Sequence, residues 1–341
     1  LIFPEEEKPM TLQRHFWEGP YEGKMEPTCD FFGIIFVKES DGSKFRYASL
    51  LDFAWRYFGH PLKAPMAANE LYKYSIAFCY YLYEVEKNGF AGFVRGADWH
   101  AGETSYKKTE HVYEIGWGGH SASLSCTFIY DYLKTGNKER LDMALAALDT
   151  WVNRCVLPAG HIKVRFDFNP KNYDPDPSVM PDRWDYGENR FENLYNIYLH
   201  GTAHNFALDE NGDRLFRIDA CNNGTAANCF FEAYDMLKQA GIDKPEYERV
   251  AYGICDFAVK TQDSGGCYAK TWNDDGEVIT RDGTIGSFLI VPVLNAYKRK
   301  GEKHYLESAV RAFDYYYGEL ERQGFTTAGA LDTYSIDKES S

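Results

Sequence analysis

Three stretches of the chain set carboxylic acids beside aromatic rings and bases. In the first, Asp98-Trp99-His100-Ala101-Gly102-Glu103 is followed by Glu110 and Trp117. The second is Arg183-Trp184-Asp185-Tyr186-Gly187-Glu188, with Arg190 and Glu192 beyond it. The third joins Asp332 to Asp337-Lys338-Glu339. Cleavage of a glycosidic bond needs two carboxyl groups on opposite faces of that bond. One stays protonated to give its proton to the leaving oxygen, and the other stays ionised to activate water or attack the sugar. A lysine between two acids, as in the third stretch, can hold one of them ionised. Indole and phenol rings stack on sugar faces, and charged groups hydrogen-bond to hydroxyls. Each stretch also has a plain structural reading: a solvated loop with one aromatic anchor, first-turn acids matched to the dipole of a helix starting near Asn189, and a helix cap with surface charges.

The elements that must position these residues repeat one plan, in which a glycine opens an apolar-periodic helix, a polar turn holds a second glycine, and another apolar-periodic helix returns. Gly119 leads to Gly136, Gly224 to Gly241 and Gly283 to Gly301, spacings of 17, 17 and 18 residues, enough for about four helical turns. The predicted stripes are Leu124, Phe128, Ile129 and Tyr132 facing Leu141, Ala144, Leu145, Leu148, Trp151 and Val152. They continue with Ala227, Phe230, Phe231, Tyr234 and Leu237 facing Val250, Ile254 and Phe257, then Phe288, Leu289, Leu294 and Tyr297 facing Tyr305, Leu306, Ala309, Ala312, Phe313 and Tyr316. Helical spacing over 45–58 and 66–85 predicts an earlier, irregular hairpin, and Pro292 predicts a kink. Such units bury their apolar faces only by stacking on neighbours, so they close into a ring or run as a solenoid.

The connections between hairpins are long on one side only. Residues 156–218 include a predicted strand from His161 to Phe168 and a β-hairpin turning at Asp209–Asp213, and a second β-hairpin turns at Asn273–Gly276 with Trp272 on its flank. Asp219 and Asp282 each precede an inner helix and read first as caps. Residues 1–43 lack helical period, and Phe31–Val37 reads as a strand. Asp332 to Ser341 reads as the lead-in to a fifth first helix, so the ring is expected to be incomplete.

With these hairpins, and with Trp117-Gly-Gly-His120, Cys221-Asn-Asn-Gly-Thr225, Arg281-Asp-Gly-Thr284 and Ile336-Asp-Lys-Glu-Ser340 in the connections, the chain resembles the six-hairpin glycosidase superfamily over roughly residues 44–341. The resemblance implies a mainly α fold, an (α/α)6-type toroid with β-hairpins on one rim, with residues 1–43 as an N-terminal extended segment. It further implies a glycoside hydrolase whose catalytic acids come from Asp98, Glu103, Asp185, Glu188, Asp337 and Glu339. Substrate binding would fall to Trp99, His100, Trp117, His120, Trp184, Tyr186, Arg190, Asn222, Asn223, Trp272 and Asp282. A polysaccharide lyase using Tyr186 or a histidine as base, with Arg190 or Asn222 neutralising a uronate, is the nearest rival. A sugar epimerase using His100 with His120 and a non-catalytic scaffold also stay open, because fold alone does not choose among them.

Composition narrows the partners. A formal charge of -14 over 341 residues argues against nucleic acid or an anionic membrane surface, since both need clustered Lys and Arg. No apolar run reaches the roughly 18 residues a membrane span needs. An oligosaccharide or glycoside fits better. Eight cysteines without a C-x-x-C pair read as reduced core residues, which leans toward a cytoplasmic setting, although a leader could have been removed. No cofactor or metal is expected. His200 and His204 have the spacing of a zinc pair but lack the intervening Glu. Asp209–Asp213 lacks the twelfth-position acid of a calcium loop.

Overall fold

The computed structural model describes residues 47–58, 66–94, 96–100, 105–108, 111–116, 121–167, 206–208, 214–216, 218–281 and 283–323. The strand expected over 31–37, the turn at 209–213 and the helix lead-in after residue 331 lie outside them. The chain divides into two compact units, Leu1–Ala64 with Asp98–Lys107, and Pro65–Ala97 with Lys108–Ser341.

In the first unit, helix α1 (Tyr47–Phe58) carries an exposed Arg56–Asp52 pair one turn apart at 3.0 Å. The second unit opens with α2 (Ala68–Leu82), whose first turn is tied by Glu70 accepting from the Ala67 N–H. Strands β1 (Tyr83–Val85) and β2 (Ala91–Phe93) then form a hairpin in the register Glu84 to Gly92. A further pair, β3 (Ala97–His100) with β4 (Ser105–Lys108), lies almost wholly in the stretch assigned to the first unit.

Three helical hairpins make up the body of the second unit: α3 (Ser121–Thr135) with α4 (Lys138–Arg154), α5 (Ala220–Gln239) with α6 (Pro245–Thr261), and α7 (Ile290–Lys300) with α8 (Lys303–Gln323). Their turns form for the reason the sequence gives. Gly136, Gly241 and Gly301 sit at φ of 71°, 75° and 72°, the left-handed conformation that closes a helix C-terminus without a Cβ clash. Asn137 then caps α4 by accepting from the Arg140 N–H at 3.3 Å, and Pro245 opens α6 where its missing N–H is not needed.

Helix α3 packs on α5 and α5 on α7, while α4 packs on α6 and α6 on α8. The inner three run parallel, because contacts advance together along them. Gly224 meets Phe288, Asn228 accepts from the Asn295 amide at 2.9 Å, and Arg299 reaches Asp235 and the Phe231 carbonyl. Phe128, Trp151, Phe230 and Tyr247 are wholly buried between the layers, each contributing roughly 1.5–3 kcal/mol through removal from water. Among the described residues the fold is mainly α, helical hairpins stacked in two layers, with small sheets in the connections.

Two expectations give way here. Pro292 does not kink a helix, because the chain runs as a 3-10 turn over Ile285–Leu289 and becomes α-helical only at Ile290. The proline therefore falls in the first α turn, where an N–H is unpartnered in any helix. Phe288 and Phe313, assigned to apolar stripes, are 45% and 55% exposed. The buried stripe of α8 is Tyr305, Ala309, Ala312 and Tyr316, whose spacing puts Phe313 on another face, stacked on Tyr317 at 5.6 Å.

Candidate active-site rim at the inner helix N-termini

Parallel inner helices bring their N-termini to one end of the second unit. At α5 the cap is Asp219, whose carboxylate accepts from the Asn222 N–H through one oxygen and from the Asn222 side-chain amide through the other, both at 2.8 Å. The Asn222 carbonyl oxygen in turn accepts from the Gly116 N–H at 3.0 Å. A Cβ on Gly116 would lie 2.7 Å from the Asn222 backbone, so only glycine lets the loop before α3 lie this close. The neighbouring Asn223 accepts from the Ile162 N–H at 3.0 Å and donates to the Ile162 carbonyl at 3.2 Å and the Asp219 carbonyl at 3.1 Å. Its amide thus does for Ile162 what a partner strand would do.

Around this cap lie paired buried charges. Strands β5 (Val112–Glu114) and β6 (Arg165–Asp167) are antiparallel with Glu114 directly opposite Arg165, and the two side chains form an ion pair at 3.0 Å with 6% exposure each. Lys163 reaches Asp274 at 2.6 Å in the turn of the last β-hairpin. Burial pushes the Lys163 amine down to about 8, against the opposing pull of Asp274. His161 lies flat on Phe257 with ring centres 4.2 Å apart, and its Nε2 is 2.9 Å from the Asn273 carbonyl. Burial lowers its pKa despite that hydrogen bond, so the ring is neutral at neutral pH with Nε2 as donor and Nδ1 as acceptor. The Cys221 thiol is pushed far up by burial and then by the Asp219 carboxylate, which makes it a poor nucleophile.

The sheet beside the rim orders β9 (Ile218–Asp219), β10 (Thr271–Trp272) and β11 (Val278–Thr280), with Thr271 opposite Asp219. Trp272, expected from the sequence to stack on a ligand, is instead wholly buried, edge-on to Phe257 at 5.1 Å. Asn223 likewise spends its amide on backbone. Asn222 is 7% exposed beside Asp219, its side-chain amide donating to that carboxylate and its side-chain oxygen accepting from the Gly116 N–H. Asp98, Trp99 and His100 lie in β3 with side chains outside the described residues. Glu103, Trp117, His120, Trp184, Asp185, Tyr186, Glu188, Arg190, Asp282, Asp337 and Glu339 lie outside them entirely.

Sequence reasoning passed over Glu114, His161, Lys163, Arg165 and Asp274. A signal was present, because His161, Lys163 and Arg165 alternate with apolar residues in an extended run, and three basic groups on one buried face need acidic or carbonyl partners. Further off, Glu84, Glu86 and His111 bring potential metal-ligand atoms within 4.8 Å of one another. Their charges are already paired, Glu84 with Lys108 at 2.6 Å and Glu86 with His111 at 2.9 Å, and Tyr113 donates to Glu86 at 2.5 Å. Among the described residues, no helix is long and apolar enough to cross a membrane, and seven cysteines are buried and unpaired.

No family model and no curated protein matches the chain. Solved structures similar to it include a GH76 alpha-mannanase of Bacteroides thetaiotaomicron, 12% identical over 72% of this chain and 50% of the other, with a TM-score of 0.41. A possible GH105 member from Salmonella enterica is 11% identical over 85% of this chain and 61% of the other, with a TM-score of 0.48. A cellobiose 2-epimerase from Spirochaeta thermophila is 16% identical over 74% and 68%, with a TM-score of 0.30. The chain therefore spans 50% and 61% of the length of the first two. All three are 11–16% identical to this chain, with TM-scores of 0.30 to 0.48, and no family is shown for it.

Proposed function

We propose that this protein is a carbohydrate-active enzyme that hydrolyses a glycosidic bond. The observation that carries the reading is the rim of the second unit where α3, α5 and α7 begin side by side; the sequence leading into those helices, 117–120, 168–217 and 282–289, holds many acids and aromatic residues. The acid and base come from Asp98, Glu103, Asp185, Glu188, Asp337 and Glu339. Sugar hydroxyls and rings are held by Trp99, His100, Trp117, His120, Trp184, Tyr186, Arg190, Asn222 and Asp282. Asn223 and Trp272 support that rim from behind. Helix N-termini favour negative charge, so a carboxylate held there stays ionised, while one against an indole is pushed toward its protonated form. That difference is the division of roles hydrolysis needs.

The test is substitution of each of the six acids by its amide, with release of reducing ends from neutral and uronate-containing oligosaccharides as readout. Loss of at least about a hundredfold in kcat for two of the six, with KM little changed, supports the reading. Unchanged turnover in all six contradicts it. A lyase on this fold is the second reading, favoured by Arg190 in the sequence before α5 and Asn222 in the first turn of that helix. Its mark is an unsaturated product.

A further inference from the structure

At the other end of α3, away from the helix N-termini, α2 stands off from α3 and α4 and leaves a cleft of about 1000 Å³. This is the upper end of the roughly 300–1,000 Å³ typical of ligand sites. Tyr72, Lys73 and Tyr80 face it from α2, Asp131 and Lys134 from α3, and Arg140 from α4. Asp131 is wholly buried. It accepts hydrogen bonds from the Tyr72 hydroxyl, from Arg140 and from Thr135 at 3.2 Å. Its charge is therefore spent on Arg140. Tyr80 is anchored at the mouth by its hydroxyl donating to Glu139.

Lys73 and Lys134 are left over. Neither forms an ion pair among the described residues, whereas Arg140 and Asp131 pair with each other. The Lys134 ammonium lies 4.8 Å from the centre of the Tyr72 ring and 5.4 Å from that of Tyr130. Two cations outside any ion pair among the described residues, with the Glu139 carboxylate at the mouth, stand out on an aromatic-walled cleft in a chain of net charge -14. The surrounding negative field repels extended polyanions such as nucleic acid, but a small ligand with one or two charges feels mainly the nearby lysines within a Debye length of about 8–10 Å. Tyrosine faces and edges suit a ring with one apolar face and several hydroxyls. Asn69 and Thr135 add neutral polar groups along the lining.

We propose that this cleft binds an acidic saccharide, its carboxylate between Lys73 and Lys134 and its rings against Tyr72 and Tyr80, as a site separate from the rim. The saccharide class rests on the hydrolase reading above; the requirement for negative charge rests on the cleft alone.

The experiment is calorimetric titration of the full chain with trigalacturonate, with galactotriose as neutral control and citrate as an anion without sugar rings. Trigalacturonate is expected to bind, to weaken with added salt, and to lose at least about tenfold in affinity in the Lys73→Glu/Lys134→Glu variant. Both lysines are exposed, so that variant should keep the wild-type melting temperature. Tyr80→Ala should weaken the trisaccharide but not citrate. Absence of binding, equal affinity for galactotriose, equal affinity for citrate, or an undiminished double variant each overturns the proposal. So does sedimentation showing a dimer that the double variant dissociates, since the cleft would then be an interface. A chain that binds trigalacturonate as described yet cleaves no glycosidic bond sinks the hydrolase reading and leaves the acidic-ligand site standing. A chain that cleaves glycosides but does not discriminate by charge does the reverse.

Discussion

At the scale of single residues, Asp219 is both a cap and the partner of a buried amide, and these two roles add. Substitution Asp219→Ala removes an N-cap worth about 1 kcal/mol and leaves the Asn222 amide without its carboxylate partner, a further cost of about 1–3 kcal/mol for a buried donor. Urea unfolding should show a loss of about 2 kcal/mol or more, and Asp219→Asn should recover part of it. The cap was legible in the sequence because an aspartate stood just before an apolar-periodic run. The roles of Asn222 and Asn223 were not legible, because their partners Gly116 and Ile162 are 106 and 61 residues away. A spacing rule sees neighbours on one element and is blind to such contacts.

Lys163 gives a pH signature. Below about 8 its amine is charged in the folded and the unfolded chain alike. Between about 8 and its ordinary 10.5 the folded form has lost a proton that the unfolded form keeps. The unfolded chain then binds more protons, so this group's contribution makes stability rise with pH across that window. Measured by urea unfolding, wild type minus Lys163→Met should shift in favour of wild type from pH 8 to pH 10. A flat difference contradicts the burial assigned to this amine.

At the scale of elements, the hairpins were legible because turn glycines and apolar stripes are local signals that tertiary packing reinforces. The two kinds of glycine are physically different, however, and the sequence does not distinguish them. Gly241 has φ of 75° with open space where a Cβ would go, whereas a Cβ on Gly224 would lie 2.4 Å from the Phe288 carbonyl oxygen. Gly241→Ala should cost about 1 kcal/mol through backbone strain alone, and Gly241→Asn less. Gly224→Ala should cost about 2 kcal/mol or more, since two backbones must separate. Thermal melts of the three variants check the order. Phe288 and Phe313 show the limit of stripe reading, because an aromatic beside a stripe satisfies the period within one position yet faces outward. Their exposure was settled by how α7 and α8 pack, which periodicity does not encode.

At the scale of the molecule, the hairpins of the second unit form two layers, with inner helices parallel and outer helices behind them. The long connections enter at the inner N-termini, and the short polar turns lie at the opposite end. The sequence already showed that asymmetry, and the mainly α, hairpin-stacked architecture expected with it is the one the structure has. The short turns at the opposite end hold none of the candidate site residues read from the sequence. The cleft between α2, α3 and α4 lies at that end because α2 splays from its neighbours, a packing outcome with no trace in composition or motif. The catalytic assignment is tied to the connections, so it stands or falls on chemistry there.

Hydrolysis, elimination and epimerisation leave different records of where solvent oxygen goes. The measurement that separates them is incubation of the chain with neutral and uronate-containing oligosaccharides in oxygen-18 water, followed by mass spectrometry of the products. Hydrolysis predicts one heavy oxygen at the new reducing end of every cleaved chain, an incorporation that disappears in the inactive amide variants of the rim acids. Unsaturated products without label, or intact oligosaccharides with an inverted ring carbon, would contradict glycosidic hydrolysis.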